Sequence, residues 1–392
     1  MPLRALPGRL LGLFALLGFG SGQVLAQVPH LLSPSLDISW MRDANLFRSE
    51  ADPLSDRFRT ITVGLKLERA ISNQNLTAHL NMSRAEFDRF KFVNYDAKDV
   101  AANWGWNFGK LHGNLGGSSQ QRLNSFAESH LQERTLQTNR REYFNGVWQM
   151  HSNWQWQFGS TINRYDFDSP RQQSLNREVR TNELGFDFLG RDGSRIGLLL
   201  VRADAVFPIE ELGLSPELKK FNDYRQDDVK LRIEWNLTGK SVVRFEGGKT
   251  TREHVIFPVR DYDGLNARLV AIWAPTVKQA LTSTVWREIG AVDNLITSYS
   301  VNNGLSFDSV WAPNQSLRFD GHVQFETRAF NNIGGAGTTR SDQFRSAQLG
   351  LSYVWLRHTR LGLSLSHESL DSNLARHSYR TNGVVANVSY QY

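Results

Sequence analysis

The sequence predicts an all-β chain: a transmembrane, antiparallel, up-and-down β-barrel of about eighteen strands, with sixteen as the alternative count. Three observations predict it. Polar and apolar residues alternate with a period of two along the chain after its first segment, and the connections between these runs are short and long in turn. A mean hydropathy of −0.42 accompanies 11% aromatic residues, a pairing that arises when every second residue faces a wet lumen, the others face hydrocarbon, and rings gather at the two interfaces. Finally, no segment beyond the N-terminal one approaches the roughly 18 apolar residues of a membrane helix. A large soluble β-sandwich or propeller is the rival fold.

The N-terminal segment has the layout of an export signal. Arg4 and Arg9 precede an apolar run from Leu10 to Phe19, and Val24-Leu25-Ala26 supplies small residues at a peptidase-type spacing, so residues 1–26 are expected to be a signal peptide cleaved before Gln27. Residues 27–392 are then expected to form the barrel, with the weakest alternating segment, near Leu36 to Leu46, as its first strand or as a periplasmic arm. The chain has no cysteine, which removes disulfides, thiolate catalysis and thiolate metal sites. A closed hydrogen-bonded sheet would supply the missing closure.

Short turns are predicted at 71–73, 109–110, 151–153, 191–193, 238–240, 275–276, 313–314 and 357–359, most of them carrying Gly, Pro, Asn or Asp. Long connections are predicted near 47–57, 88–98, 122–139, 168–178, 207–224, 253–262, 289–296, 330–340 and 370–379. An even strand count would leave both termini on the periplasmic side of a bacterial outer membrane, with the long loops outside. The last run, Val384 to Tyr392, ends on an aromatic ring, as the sealing strand of such a barrel commonly does. Nine tryptophans (104, 106, 148, 154, 156, 235, 273, 311 and 355) lie beside predicted short turns, where an aromatic girdle is expected, whereas Trp40 and Trp286 do not.

Alternation sorts the side chains into two faces. Leu317, Phe319, Val323 and Phe325 would face lipid, leaving Arg318, Asp320, His322, Gln324 and Glu326 inside; Val229, Leu231, Ile233 and Trp235 would face out, leaving Lys230, Arg232 and Glu234 inside. Lys66, Glu68, Glu183, Asp187, Arg244, Glu246 and Arg268 join the predicted lumen. The reverse orientation would cost roughly 2–4 kcal/mol for each Arg or Lys near the bilayer midplane. The run from Arg195 to Asp204 does not sort.

No catalytic constellation, cofactor site or metal-ligand spacing is visible, so no enzyme activity and no cofactor are expected. His367 and Ser369 are close in sequence but share a face with Leu363 and Leu365, which makes a chance neighbour relation the simpler reading. Gly334-Gly335 follows no strand-to-helix pattern and implies a loop rather than a phosphate cradle. Acidic residues interrupt the basic ones throughout, giving no nucleic-acid footprint. What remains is passage of polar solutes past luminal groups such as Lys230, Arg232, Glu234, Arg244, Glu246, Arg268, Arg318, Asp320, His322 and Glu326. For any one of these, simple ion pairing that stiffens the wall is the competing role.

Ser55-Asp56-Arg57-Phe58-Arg59 with Gly64-Leu65 recurs as Ser341-Asp342-Gln343-Phe344-Arg345 with Gly350-Leu351, consistent with duplication of hairpins. The stretch Asp43-Ala44-Asn45-Leu46-Phe47-Arg48, followed by Ser55-Asp56 and Gly64-Leu65, resembles the N-terminal pattern of EpsL-type outer-membrane proteins of exopolysaccharide operons, within a broader β-barrel porin group. That resemblance implies an outer-membrane channel exporting a secreted polysaccharide, working with a periplasmic polysaccharide-export protein and an inner-membrane synthesis and export apparatus; outer-membrane lipid and lipopolysaccharide are further partners expected of such a barrel. The alternatives are a general diffusion porin for small solutes, a barrel enzyme, and a structural or adhesive barrel.

Overall fold

The computed structural model describes residues 31–129, 132–208, 222–290, 297–332 and 339–392. The expected signal peptide, most of the 207–224 connection and the glycine-rich run at 333–337 lie outside them. Eighteen strands form one antiparallel sheet: β1 Leu32–Asp43, β2 Asp56–Ile71, β3 Gln74–Phe87, β4 Tyr95–Phe108, β5 Leu111–Leu123, β6 Leu136–His151, β7 Trp154–Phe167, β8 Arg177–Leu189 and β9 Arg195–Val206. They continue as β10 Tyr224–Thr238, β11 Ser241–His254, β12 Tyr262–Thr276, β13 Gln279–Gly290, β14 Thr297–Trp311, β15 Leu317–Asn332, β16 Ser341–Leu356, β17 Thr359–Ser372 and β18 Tyr379–Gln391. Every strand pairs with its sequence neighbours, and β1 also pairs with β18 from Ser35↔Gln391 to Asp43↔Gly383. The sheet therefore closes on itself and has no edge.

Alternation settles which way each side chain points. On β10, Val229, Leu231 and Trp235 are exposed while Lys230, Arg232 and Glu234 are partly covered. The outer surface is apolar where the strands cross the girdle region, but strands of 12 to 16 residues exceed the 9–11 needed to cross a bilayer. The surplus lies at the long-loop end, where outward positions change from apolar to charged. On β9 the outward sequence runs Ile196, Leu198, Leu200 and then Arg202, Asp204. On β3 it runs Leu80, Met82 and then Arg84, Glu86. The run from Arg195 to Asp204 resisted sorting because it crosses this boundary while also turning Leu199 and Val201 inward; Leu199 is buried against the wall.

At the short-turn end the outward rings form a girdle. Trp148, Trp235, Trp273, Trp311 and Trp355 are each roughly half exposed. Trp106 is covered, lying over Gly113 between Phe108 and Phe144. The C-terminal Tyr392 stacks on His358 at this same end. Trp40 is exposed and outward but near the long-loop end, and Trp286 faces the lumen, 5% exposed.

The long connections are tied down by a recurring side-chain lock. Asn94, Asn176, Asp223 and Asp261, each just before a strand, accept the backbone N–H of Phe87, Phe167, Phe207 and His254 at 2.7–2.8 Å. Such Asx side chains satisfy backbone donors that a loop leaves unpaired. Short 3-10 turns at Lys91–Val93, Pro170–Leu175, Pro258–Arg260 and Ala375–His377 fill the gaps between. Buried apolar residues gather at this end rather than along the bore: Leu46, Phe47, Ala85, Phe87, Val93 and Phe126 form one cluster.

Candidate functional site

The site is the lumen wall, and its chemistry follows from which residue each strand turns inward. All ten residues singled out above occupy inward positions, and each is engaged by a neighbour. Lys230 lies 3.2 Å from Glu246 and 3.4 Å from Asp228. Glu234 holds Arg195 at 2.8 Å and Arg244 at 3.5 Å. Arg268 forms a two-pronged pair with Glu288 at 2.8 and 2.6 Å and stacks over Trp286. Arg318 pairs with Asp320 at 2.7 Å, and His322 Nδ1 sits 2.7 Å from Asp308. Glu326 takes Arg328 at 2.6 Å and the Trp286 indole N–H at 3.2 Å.

The tightest of these clusters centres on Asp187, whose side chain is fully buried. Its carboxylate accepts Arg232 at 2.8 and 3.0 Å, Gln155 Nε2 at 3.0 Å and Gln157 Nε2 at 2.7 Å, with Arg195 at 3.9 Å. Asp187 is on β8 and Arg232 on β10, so the contact spans β9. Gly197 pairs with both residues in register, and a Cβ there would stand 2.0 Å from Asp187 Oδ1. The missing side chain is what lets the arginine cross. The same device lets Trp286 reach Glu326 over Gly304 and lets the Tyr143 hydroxyl reach Asn103 Oδ1 at 2.8 Å over Gly116.

The inward faces of β5, β6 and β7 differ in kind. Glu142 and Asp166, the only acids on these strands, sit at outward positions and pair with Arg164 and Arg140. Inward, the strip carries amides, hydroxyls, rings and two arginines. Asn103 Nδ2 donates to Asn114 Oδ1 at 3.4 Å and Asn114 Nδ2 to Asn145 Oδ1 at 3.3 Å, extending the chain that begins at Tyr143. Arg122 donates twice to Gln137 Oε1, an amide rather than a carboxylate, and Arg141 lies over Tyr143. Asn139 Oδ1 and Asn163 Oδ1 are buried without a hydrogen-bond partner among the described residues. In the sequence this strip shows only as Asn and Gln recurring at alternate positions, without the alternating charges that mark the rest of the wall.

At the long-loop end the connection between β5 and β6 folds inward. Its α1 segment, Phe126–Ser129, puts Phe126 against Phe47 at a centroid distance of 4.9 Å and Ala127 into a cluster with Phe344, Leu370 and Tyr379. A connection leaving β5 thus reaches the inner faces of β16, β17 and β18. The Asp43–Arg48 stretch acts here too. Asp43 accepts the Asn45 N–H, the Thr381 hydroxyl and the Arg48 Nη1–H at 2.9, 2.7 and 2.9 Å, and Asn45 Nδ2 donates to the Arg380 carbonyl at 3.0 Å. Arg48 also lies 3.7 Å from Glu368. Burial works against its charge, but Asp43 and Glu368 outweigh that and raise its pKa above the ordinary guanidinium value. The motif ties the first hairpin to the last two strands.

His367 contacts Asn382 Oδ1 at 2.8 Å on the outer face, and Ser369 is buried, so the two do not form a nucleophile and base. Among the described residues no group of three His, Cys, Asp or Glu could hold a metal ion.

A family model described as "Putative beta-barrel porin 2" matches residues 258–392. No curated protein matches the chain. Among solved structures, Pseudomonas aeruginosa OpdK with vanillate aligns at a TM-score of 0.51 and 12% identity, covering 92% of this chain and 99% of that one. OccK2 (OpdF) of the same organism aligns at 0.52 and 10% identity, and its complex with glucuronate at 0.50 and 11%, each covering 92% of this chain and 97% of the other. At these identities the likeness establishes the fold. These findings overturn the exopolysaccharide-export expectation: the family model is a porin model and the solved neighbours named here are Opd and Occ outer-membrane barrels, and the motif that suggested the EpsL-type family is a structural tie between Asp43, Asn45, Arg48 and the closing strands.

Proposed function

We propose that this protein is a diffusion porin of the bacterial outer membrane, passing small polar solutes, with both termini periplasmic and the long connections outside. One observation carries the reading: a closed barrel whose outward face carries an apolar band with an aromatic girdle and whose inward face is polar along most strands, β9 with Leu199 and Val201 inward being an exception. Lipid outside and water inside is the arrangement in which both faces are stable. The ion pairs of β8 to β15 largely neutralise one another locally, Arg252, bonded to Gln226 and lying over Tyr224, standing outside them. The β5–β7 strip offers two arginines, stacked or bonded to amides, together with many hydroxyl and amide partners. It suits small solutes that combine hydroxyls with a carboxylate, and the vanillate and glucuronate named with the two solved porins are of that kind. Many weak, exchangeable contacts favour passage over trapping.

The test is reconstitution of the purified chain into planar bilayers without any partner. Steady single-channel conductance is expected, with current interruptions when glucuronate is added on one side. Arg141→Ala combined with Arg122→Ala is expected to shorten those interruptions and shift the reversal potential toward cation preference. A barrel that folds yet stays closed under all voltages would contradict the proposal.

A further inference from the structure

We propose that the outer surface at the β1–β2 seam, centred on Arg42 and Arg57, binds the phosphate-bearing headgroup of an acylated lipid in the outer leaflet. The inference needs the apolar band to lie in a bilayer with the long-loop end outward; it does not need the channel to conduct. Arg42 and Arg57 are directly opposed in the ladder, both point outward, and both are exposed. Like charges placed opposite one another on adjacent strands destabilise the pairing. Among the described residues neither side chain has an ion-pair or hydrogen-bond partner.

The rest of the rim shows how unusual this is. Four outward cations elsewhere on the rim meet a carboxylate on the next strand: Arg202 with Asp227 at 2.7 Å, Arg225 with Asp204 at 2.9 Å, Arg164 with Glu142 at 2.7 Å and Lys249 with Asp263 at 3.0 Å; single cations without one, such as Lys98 and Arg287, do not face a second cation across the ladder. Around the seam, by contrast, cations are in excess. Arg345 and Arg380 share Asp371 at 3.9 and 3.7 Å beside the unpaired Arg42 and Arg57, whereas on the far side Arg59 and Arg84 are matched by Glu86 at 2.8 and 2.9 Å and by Asp96 at 3.9 Å from Arg84.

Height fixes the class of partner. Arg42 pairs across to Val384, and Val384 to Leu365; both are exposed and apolar, as are Leu36, Val63 and Trp40 below them. Trp40 is the one outward tryptophan away from the short-turn girdle, and an exposed indole marks the boundary between hydrocarbon and headgroups. A ligand on this surface therefore meets acyl-compatible residues up to Trp40 and two unpaired guanidiniums immediately above it. Phosphate matches the arginine fork through two parallel hydrogen bonds, and its negative charge between Arg42 and Arg57 turns their repulsion into attraction. A free anion would use the arginines alone; a phosphorylated lipid uses both halves of the surface.

The experiment is native mass spectrometry of the full chain in neutral detergent, titrated with bisphosphorylated lipid A, with phosphatidylethanolamine, and with lipid A in the presence of inorganic phosphate. Folding is followed by heat-modifiable electrophoretic migration. Wild type is expected to prefer lipid A over phosphatidylethanolamine, Arg42→Ala with Arg57→Ala to weaken lipid A binding by about tenfold or more, and equimolar inorganic phosphate not to compete. Arg57→Glu supplies Arg42 with a partner, so this variant should fold at least as well, unfold at higher temperature in neutral detergent, and still lose lipid A. Unchanged lipid A binding in either variant overturns the proposal, as does displacement by equimolar phosphate.

Discussion

Replacing Asp187 with alanine tests whether the lumen wall is held by charge clusters that cross strands. The carboxylate is fully buried and receives two hydrogen bonds from Arg232 and one each from Gln155 and Gln157. Arg232 is itself only 15% exposed, so the alanine variant leaves a largely buried cation without its carboxylate. Breaking a buried pair from one side costs about 3–5 kcal/mol. Asp187→Asn keeps the shape and some of the hydrogen bonds and should cost about 1.5–3 kcal/mol, the range for hydrogen bonds to charged groups. Equilibrium urea unfolding from lipid vesicles gives the stability arm. The second arm is the reversal potential in a salt gradient, which should move toward anion preference because Arg232 and Arg195 both lose their shared counter-charge. Glu234 still holds Arg195 at 2.8 Å, so Arg232 should dominate the shift. A loss below about 1 kcal/mol with an unmoved reversal potential would refute the reasoning, since that combination requires Arg232 to find another partner or to be solvated already.

Gly197→Ala should damage the same cluster from the other side: its Cβ would stand 2.0 Å from Asp187 Oδ1 and 2.4 Å from Phe186 O, and an overpacking cost of about 1–3 kcal/mol should appear in the same unfolding assay. Arg48 has a φ of 56° and sits 5% exposed beside Asp43, so Arg48→Ala should cost about 3–5 kcal/mol; Arg48→Gly should cost roughly 1 kcal/mol less because the backbone strain is relieved, and equal losses would exclude strain at this position. Replacing residues 124–135 by a tight turn should raise single-channel conductance, since Phe126 and Ala127 pack across the mouth; unchanged conductance would place the connection clear of the solute path. At the short-turn end, hydrogen bonds from the Ser194 hydroxyl and backbone N–H hold the Asp192 carboxyl below the ordinary aspartate value. The turn should therefore be strengthened above about pH 4 and lose that contribution as pH falls through the depressed value. Carbon NMR titration should show Ser194→Ala returning the carboxyl toward ordinary behaviour.

Strand number and the short–long rhythm of connections were legible because a two-residue period on a two-sided wall leaves little choice of face. The turn expected at 275–276 lies instead at 277–278: Pro275 belongs to the end of β12, where the register shifts between Trp273 and Thr276, and such an irregularity tolerates a residue with no N–H to donate. The recurring Ser-Asp-x-Phe-Arg pattern has a common structural meaning, since Asp56 and Asp342 both open strands with inward, buried carboxylates. The significance of Asp43–Arg48 was not legible, because its partners Thr381, Arg380 and Glu368 are more than three hundred residues away. Trp286 was visible only as an exception, and its inward role depends on Gly304 one strand over.

Those glycine crossings bear on how selectivity could arise. Hydrogen bonds of the ladder fix each strand to its neighbour, but luminal side chains could still swing freely. Gly116, Gly197 and Gly304 each admit a link from one strand to the next but one, so Tyr143, Arg232 and Trp286 lie flat along the wall instead of projecting into the bore. Side chains held flat have lost their rotamer entropy on folding, not on meeting a solute. The charge pattern is therefore a fixed property of the wall: mostly ion pairs along β8 to β15, with Arg252 bonded to Gln226 as an exception, and Arg122 and Arg141 among amides and rings along β5 to β7. A small hydroxylated anion should follow the second path, and swapping the sign of that path with Arg141→Glu should reverse its preference while leaving the size of the opening unchanged. If the conductance of a neutral sugar-sized solute fell as well, the wall would be acting through shape, and the electrostatic account would fail.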